Sequence, residues 1–148
     1  MKTILTNEKD ERFLELVEEL DNGYYQRIGD DLKKYEKYNE FDKPHVVIIL
    51  LDGDKAVACA SYRQLNENTV EFKRVYVKKE YRKKGIAFKL ITQLEKQVIE
   101  KNFKFSHIVT GKNNIAAIKL YEKLKYKPIR NFGQFKDDEN VICMKKEF

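Results

Sequence analysis

Between residues 70 and 101 the hydrophobic period of the chain changes from that of a strand to that of a helix across one short, basic connection. Val70–Val77 reads as a strand. Ala87, Leu90, Ile91, Leu94 and Val98 then form a single apolar stripe over a helix spanning Lys84–Lys101. A strand running through a short connection into a strong helix is the pattern of an α/β domain. The neighbouring segments agree. Val46–Leu51 is β-branched and apolar, Asp52-Gly53 supplies a two-residue turn signal, and Ala56–Tyr62 completes a hairpin. Asn66-Glu67-Asn68 marks a turn into Val70–Val77. Phe105–Val109 reads as a further strand, and Asn114 as the cap of a helix running to about Lys125 that Pro128 brings to an end. Asn140–Lys146 is the clearest strand of a final hairpin.

The N-terminal part is less regular. Thr3–Leu5 reads as a short strand and Asn7 as a helix N-cap, with Asp10 at the third helical position. Phe13, Leu16, Val17 and Leu20 then define a helix over Glu8–Leu20. Tyr25, Ile28, Leu32 and Tyr35 suggest a second, more polar one. The expected architecture is an α/β domain with a mixed sheet, formed by residues 1–148 as one domain.

Composition narrows the class. Leu, Ile, Val and Phe account for 43 of 148 residues, well above the roughly one-fifth floor below which chains tend to stay disordered. No apolar run approaches the ~18 residues of a membrane helix, and Met1–Glu8 has no signal-peptide core. A soluble, cytoplasmic protein is expected. Cys59 and Cys143 are too few for a disulfide framework and lack metal-ligand spacing, so no metal is expected and both read as small core side chains.

The net charge of +6 is not spread along the chain. Residues 71–89 hold eight basic residues against Glu71 and Glu80, which is the whole excess. Residues 1–42 hold 12 acidic and seven basic residues. A diffuse basic coat would suggest a polyanion such as nucleic acid, whereas a focus this tight suggests a discrete anion. Its position sharpens the point. A helix N-terminus carries unpaired N–H groups and a positive dipole end, which favour acidic residues or a bound anion. Here Arg82, Lys83 and Lys84 stand there, followed by Gly85 and Ala87, whose small size lets an anion approach the backbone. The alternative is a solvated lysine-rich turn. The stretch is neither a Walker A loop nor G-x-G-x-x-G.

Arg82-x-x-Gly85-x-Ala87, after a strand and opening a helix, resembles the acyl-CoA pyrophosphate loop (Q/R-x-x-G-x-G/A) of the GNAT N-acetyltransferase superfamily. Val70-Glu71-Phe72-Lys73-Arg74-Val75-Tyr76-Val77 precedes it as that family's strand does. Asn114-Ile115-Ala116-Ala117-Ile118-Lys119-Leu120-Tyr121-Glu122-Lys123-Leu124 is similar to the family's N-x-x-A-x-x-L-Y-E-K-L helix. The resemblance covers residues 45–148 well and the first 40 loosely. Two departures stand out. The family often has Gly after the leading Arg, where this chain has Lys83. It also often has L-G-F/Y after the Tyr helix, where this chain reads Leu124-Lys125-Tyr126, implying a different helix end.

The resemblance implies a GNAT-like mixed, mostly antiparallel sheet flanked by about four helices, with a splayed strand pair, Val70–Val77 and Phe105–Val109, for acyl-CoA. It implies acetyl-CoA as cosubstrate. The backbone of Val75, Tyr76 and Val77 would pair with the pantetheine arm. The amides of Lys83, Lys84, Gly85, Ile86 and Ala87, with Arg82 beside them, would hold the pyrophosphate. Tyr121 would protonate the departing thiolate, and Glu71 would act as base toward the acceptor amine. Each role has a structural counterpart. Glu71 and Lys73, on one face by strand alternation, read equally as an ion pair on a solvated strand. Tyr121 shares a helix face with Ala117 and Ile118 as a core residue would, and Asn114 is a cap, a CoA contact or both.

His45 and His107 are joined by no nucleophile or metal pattern, and His107 reads as a satisfied structural residue. Tyr24, Tyr25, Tyr35 and Tyr38 read as packing between the first two helices, or as an acceptor pocket. The expected activity is acetyl transfer to a primary amine of a small molecule or peptide. Asp30, Asp31, Glu36, Glu40 and Asp42 point toward a cationic acceptor. No nucleic-acid or membrane partner is expected, and a homodimer is left open. The alternative is a non-catalytic acyl-CoA-binding or regulatory module on the same fold.

Overall fold

A computed structural model describes residues 1–28 and 43–148, and of residues 24–28 the backbone alone. Among the described residues seven strands form one sheet in the order β1-β2-β3-β4-β5-β7-β6. They are β1 (Lys2–Asn7), β2 (Val46–Asp52), β3 (Lys55–Gln64), β4 (Thr69–Val77), β5 (Phe105–Gly111), β6 (Lys127–Ile129) and β7 (Val141–Glu147). Three α-helices accompany them among the described residues: α1 (Glu11–Ile28), α2 (Ile86–Glu100) and α3 (Ile115–Lys123). β4 and β5 run parallel, whereas β1/β2, β2/β3, β5/β7 and β6/β7 are antiparallel. The parallel ladder pairs only Thr69–Phe72 with Phe105–Ile108, although β4 continues to Val77 and β5 to Gly111.

Two compact units divide the chain. The first comprises Met1–Arg63 and Lys73–Leu94, and the second Gln64–Phe72 and Glu95–Phe148.

In the first unit, Val47, Ile48, Ile49 and Leu50 of β2 are all buried, so this strand is covered on both faces. On one face Val47, Ile49 and Leu51 pack with Cys59 and with Phe13, Leu16 and Val17 of α1, which is the apolar stripe read from sequence. The β2–β3 turn is Gly53-Asp54 rather than Asp52-Gly53, since Asp52 pairs with Lys55, and Gly53 takes the left-handed φ of 60° that the turn requires.

The helix cap also moves. Asn7 ends β1 and its side chain accepts from the Lys9 amide, forming a local turn. The cap is Asp10, whose Oδ1 accepts from the Arg12 amide at 2.9 Å while the Arg12 guanidinium folds back onto the same carboxylate. That guanidinium holds the Asp10 carboxyl at about 2, well below its ordinary value. Asp10 wins over Asn7 because it offers the first turn a charged acceptor anchored by Thr6 as well. The second helix does not start at Tyr25, because α1 runs unbroken through Gly23 to Ile28. The rest of that expectation, with the acidic cluster Asp30–Asp42 and the side chains of Tyr24, Tyr25, Tyr35 and Tyr38, lies outside the described residues.

In the second unit, Asn114 caps α3 by accepting from the Ala117 amide at 3.2 Å. The helix ends with Lys125 at φ 76°, the Lys125 amide bonded to the Glu122 carbonyl and the Tyr126 amide to the Tyr121 carbonyl. This is the Schellman end that usually carries glycine at its left-handed position. The expectation of a different helix end is therefore corrected: the geometry is the glycine one, with lysine occupying it. A non-glycine residue in that region costs roughly 1–2 kcal/mol. Lys125→Gly is expected to raise stability by about 1 kcal/mol in urea denaturation, with no effect on α3 content by circular dichroism.

Candidate active site

The residues singled out by sequence fall into two groups, each inside one unit. In the first unit β4 does not remain a regular strand. Arg74 takes φ 55°, and its carbonyl accepts the Cys59 thiol at 3.4 Å. This left-handed break is of the kind a β-bulge produces, and it ends the alternation that would have kept Glu71, Lys73, Val75 and Val77 on one face. The buried Arg74 guanidinium is held by both carboxylate oxygens of Asp21 on α1, at 2.6 and 3.2 Å. Four residues beyond the break at Arg74, Lys78 Nζ lies 2.8 Å from Glu19 Oε2, and Tyr76 donates to the other Glu19 oxygen at 3.4 Å. Two cations of the basic focus are thus neutralised by α1, and they position Val75–Val77 instead of meeting a ligand.

The rest of the focus is presented outward. A single 3-10 turn, Lys79–Tyr81, leads to Arg82, Lys83, Lys84 and Gly85, all exposed. Lys83 and Gly85 take left-handed φ values of 65° and 75°. The Gly85 carbonyl accepts the Lys89 amide, so Gly85 is the residue from which α2 starts, and no acidic side chain stands in the first turn of α2. Ile86, buried, anchors the helix start beneath the loop. Nothing lies within 4 Å of a Cβ added at Gly85, so φ and not space is what glycine answers there.

Two braces hold this loop. The Arg82 guanidinium lies over the Tyr76 ring at 5.5 Å and donates through Nε to the Val77 carbonyl at 2.8 Å. Tyr81 donates to Asp52 at the β2–β3 turn, 2.6 Å away, and carries the Lys84 ammonium over its ring at 5.7 Å. That carboxylate raises the Tyr81 pKa, keeping the phenol a donor. Exposed cations, left-handed backbone and free amide positions at a helix start form an arrangement that fits a phosphate-bearing ligand.

The second unit holds Glu71, Asn114 and Tyr121. Glu71 is buried to 2% exposure, so it does not belong to a solvated strand, and in the parallel ladder it stands opposite His107. Tyr121 is buried on α3 with its ring edge-on to Tyr126, centroids 6.2 Å apart. Tyr126 joins a buried polar cluster that sequence reasoning missed. It donates to Glu95 Oε2 at 2.9 Å and lies 2.6 Å from Ser106 Oγ, while Lys146 Nζ approaches Glu95 Oε1 at 3.0 Å. Burial, then the Glu95 carboxylate, pushes the Tyr126 phenol far above its ordinary pKa, so it stays a donor. This cluster fixes the residue that closes the α3 terminus, and with it the end of the helix carrying Tyr121. Cys59 and Cys143 are buried as expected, and burial raises both thiols, Cys59 to about 12. A surface depression of about 820 Å³ near Asn131, Asp137, Asp138 and Glu139 contains none of the residues singled out. Among the described residues no acid, histidine and cysteine cluster suits a metal ion, and no helix is long and apolar enough to cross a membrane.

Comparison with known proteins points the same way. The model of the acetyltransferase (GNAT) family matches residues 12–126. A candidate acyl-CoA N-acyltransferase from Klebsiella pneumoniae superposes with a TM-score of 0.78 at 24% identity, over 98% of this chain and 97% of that one. The PaiA N-acetyltransferase of Thermoplasma acidophilum, solved with coenzyme A, gives 0.77 at 18% identity over the whole of both chains. An aminoglycoside 6′-N-acetyltransferase, also solved with coenzyme A, gives 0.72 at 17% over 99% and 97%. At these identities the likeness to the solved structures is one of fold.

Removing the Tyr126 hydroxyl leaves the buried Glu95 carboxylate short of a donor. Tyr126→Phe is expected to lower stability by about 2 kcal/mol in urea denaturation.

Proposed function

Because the chain belongs to the GNAT acetyltransferase family, we propose that residues 1–148 act as one catalytic domain that transfers an acetyl group from acetyl-CoA to a primary amine by direct attack. The observation that carries this reading is the loop Arg82–Ala87. Its cations stand at the positive end of α2 with no acidic partner in the first turn, and its backbone is left-handed at Lys83 and Gly85. An electrostatic arrangement that is unfavourable by itself becomes favourable once a pyrophosphate docks there.

Acetyl-CoA supplies the activated acyl thioester. Backbone groups of Val75, Tyr76 and Val77 would line the pantetheine arm and offer fixed donors where charge develops on the thioester oxygen. Arg82 and the amides of Lys83, Lys84, Gly85, Ile86 and Ala87 would hold the pyrophosphate. Asn114 is committed to capping α3 through its Oδ1, which leaves its side-chain NH₂ for CoA. Glu71 would take the proton of the acceptor ammonium, and Tyr121 would give one to the departing sulfur. A phenol near pKa ~10 donates to a thiolate whose thiol lies near ~8.5 only slightly uphill, so the orientation of Tyr121 supplies most of its effect.

The acceptor is a small-molecule or peptide amine. A preference for cationic acceptors rests on the acidic residues of 1–42, and three of those are already engaged within the fold: Asp10 by Arg12, Glu19 by Lys78 and Asp21 by Arg74. The preference therefore rests on those that remain, chiefly the cluster Asp30, Asp31, Glu36, Glu40 and Asp42.

The test is thiol release from acetyl-CoA across polyamines, amino sugars and lysine peptides. Turnover is expected with at least one class. Tyr121→Phe is expected to lower kcat about 100-fold while leaving the CoA dissociation constant within twofold. Tight CoA binding with no turnover on any amine would favour the non-catalytic module.

A further inference from the structure

The proposed chemistry leaves one problem unsolved. Glu71 is buried to 2% exposure, so a proton that it takes from an ammonium has no direct exit to bulk water. The second unit contains a group placed to provide one. In the parallel β4/β5 ladder Glu71 stands opposite His107, and across the β5/β7 ladder His107 stands opposite Lys145. Adjacent strands lie about 4.8 Å apart, and residues in register share a face, so Glu71, His107 and Lys145 form one cross-strand row.

His107 is not the satisfied structural residue that its sequence context suggested. Its Nδ1 is buried and makes no hydrogen bond among the described residues, whereas buried polar atoms are ordinarily bonded. The ring is held instead by Phe132, tilted against it at a centroid distance of 4.6 Å, and Phe132 in turn meets Phe135 edge-on. The residue as a whole is half-buried, with Glu71 deeper. The groups around it set its protonation. From β7 the Lys145 ammonium, lodged over the Phe105 ring at 4.1 Å, opposes a positive imidazole, while from β4 Glu71 favours one. Cys143, on the same face of β7, is a neutral thiol because burial raises its pKa. Burial of the ring is the larger cause and Lys145 adds to it, so His107 lies below its ordinary value. At neutral pH it is therefore an uncharged imidazole beside a carboxylate, able to accept a proton and lose it again.

We propose that His107 is the relay through which the proton taken up by Glu71 leaves the site. The proposal rests on the reading of Glu71 as the base. An acceptor N–H bond breaks and an O–H bond forms on the Glu71 carboxyl. That O–H then breaks as an N–H forms on His107, and the imidazolium releases its proton to water. Glu71 and His107 are regenerated, and one proton leaves per acetyl group transferred. His107 touches no substrate atom, so it acts on the reaction through Glu71.

Two measurements decide it. The chain has only two histidines, so both imidazole C–H resonances can be followed by NMR as pH is varied. His45, held at about 4 by burial, serves as an internal reference. With the carboxylate removed in Glu71→Gln, the His107 pKa is expected to fall while His45 is unmoved. An unchanged His107 means that the two groups are uncoupled and overturns the relay without any activity assay. In the second measurement, thiol release is followed with spermidine, glucosamine or an N-acetyl-lysine amide, whichever the wild type turns over fastest. His107→Ala is expected to lower kcat at least tenfold, to leave the acetyl-CoA KM within twofold, and to recover on addition of 4-methylimidazole. His107→Asn, closer in shape, should behave alike, with melting curves confirming that both are folded. Wild-type kcat in these variants, or a loss that 4-methylimidazole does not restore, overturns the relay. If Glu71→Gln keeps wild-type kcat, the base reading itself fails and the relay with it. If Glu71→Gln is inactive while His107→Ala is not, only the relay fails.

Discussion

A cationic loop at the positive end of a helix is an electrostatic mismatch, and in the first unit much of the local structure is occupied with holding it in place. Arg82, Lys83 and Lys84 repel one another and the α2 dipole, yet the loop is braced. Tyr76 and the Val77 carbonyl take Arg82, and Asp52 takes Tyr81. Behind the loop, α1 neutralises the cations that are not needed, with Asp21 on Arg74 and Glu19 on Lys78. The division of labour is plain from burial. Arg74 is enclosed and paired, while Arg82–Lys84 are exposed. The +6 of the sequence therefore overstates the charge offered to a ligand, and the part that remains is aimed at one helix terminus.

Lysine stands at both positions where the family often has glycine, and both are left-handed: Lys83 at φ 65° and Lys125 at φ 76°. Sequence comparison alone presented them as departures, one adding charge and the other altering a helix end. In the structure they share a different meaning, since the backbone keeps the glycine geometry and the lysine bears its cost. At Lys125 that cost has no evident return beyond the cap itself. At Lys83 it comes with a cation beside the candidate phosphate site, the setting in which strain is commonly retained.

Much of the fold was legible because it is encoded locally. The stripe of α2, the β2–β3 hairpin and the Asn114 cap each depend on residues within a few positions of one another. What escaped depends on partners far apart in sequence. Nothing near Arg74 announces Asp21, and nothing near Tyr126 announces Glu95. The left-handed break at Arg74 was invisible for the same reason, because an extended-looking run carries no mark of where its alternation breaks. The misplaced α1 cap had another cause: Asn7 and Asp10 are both good caps, and only the tether from Thr6 and Arg12 decides between them. For the candidate site, the motif was legible as a local pattern, but the burial of Glu71 and its place opposite His107 required the parallel register.

The central claim is that Arg82–Ala87 and the start of α2 form an anion site for the pyrophosphate of acyl-CoA. Backbone amide NMR during titration with acetyl-CoA tests it most directly. Saturable shifts centred on the amides of Lys83–Phe88, with affinity that weakens as salt is raised, are the predicted result. Saturable binding that leaves those amides unmoved would contradict it.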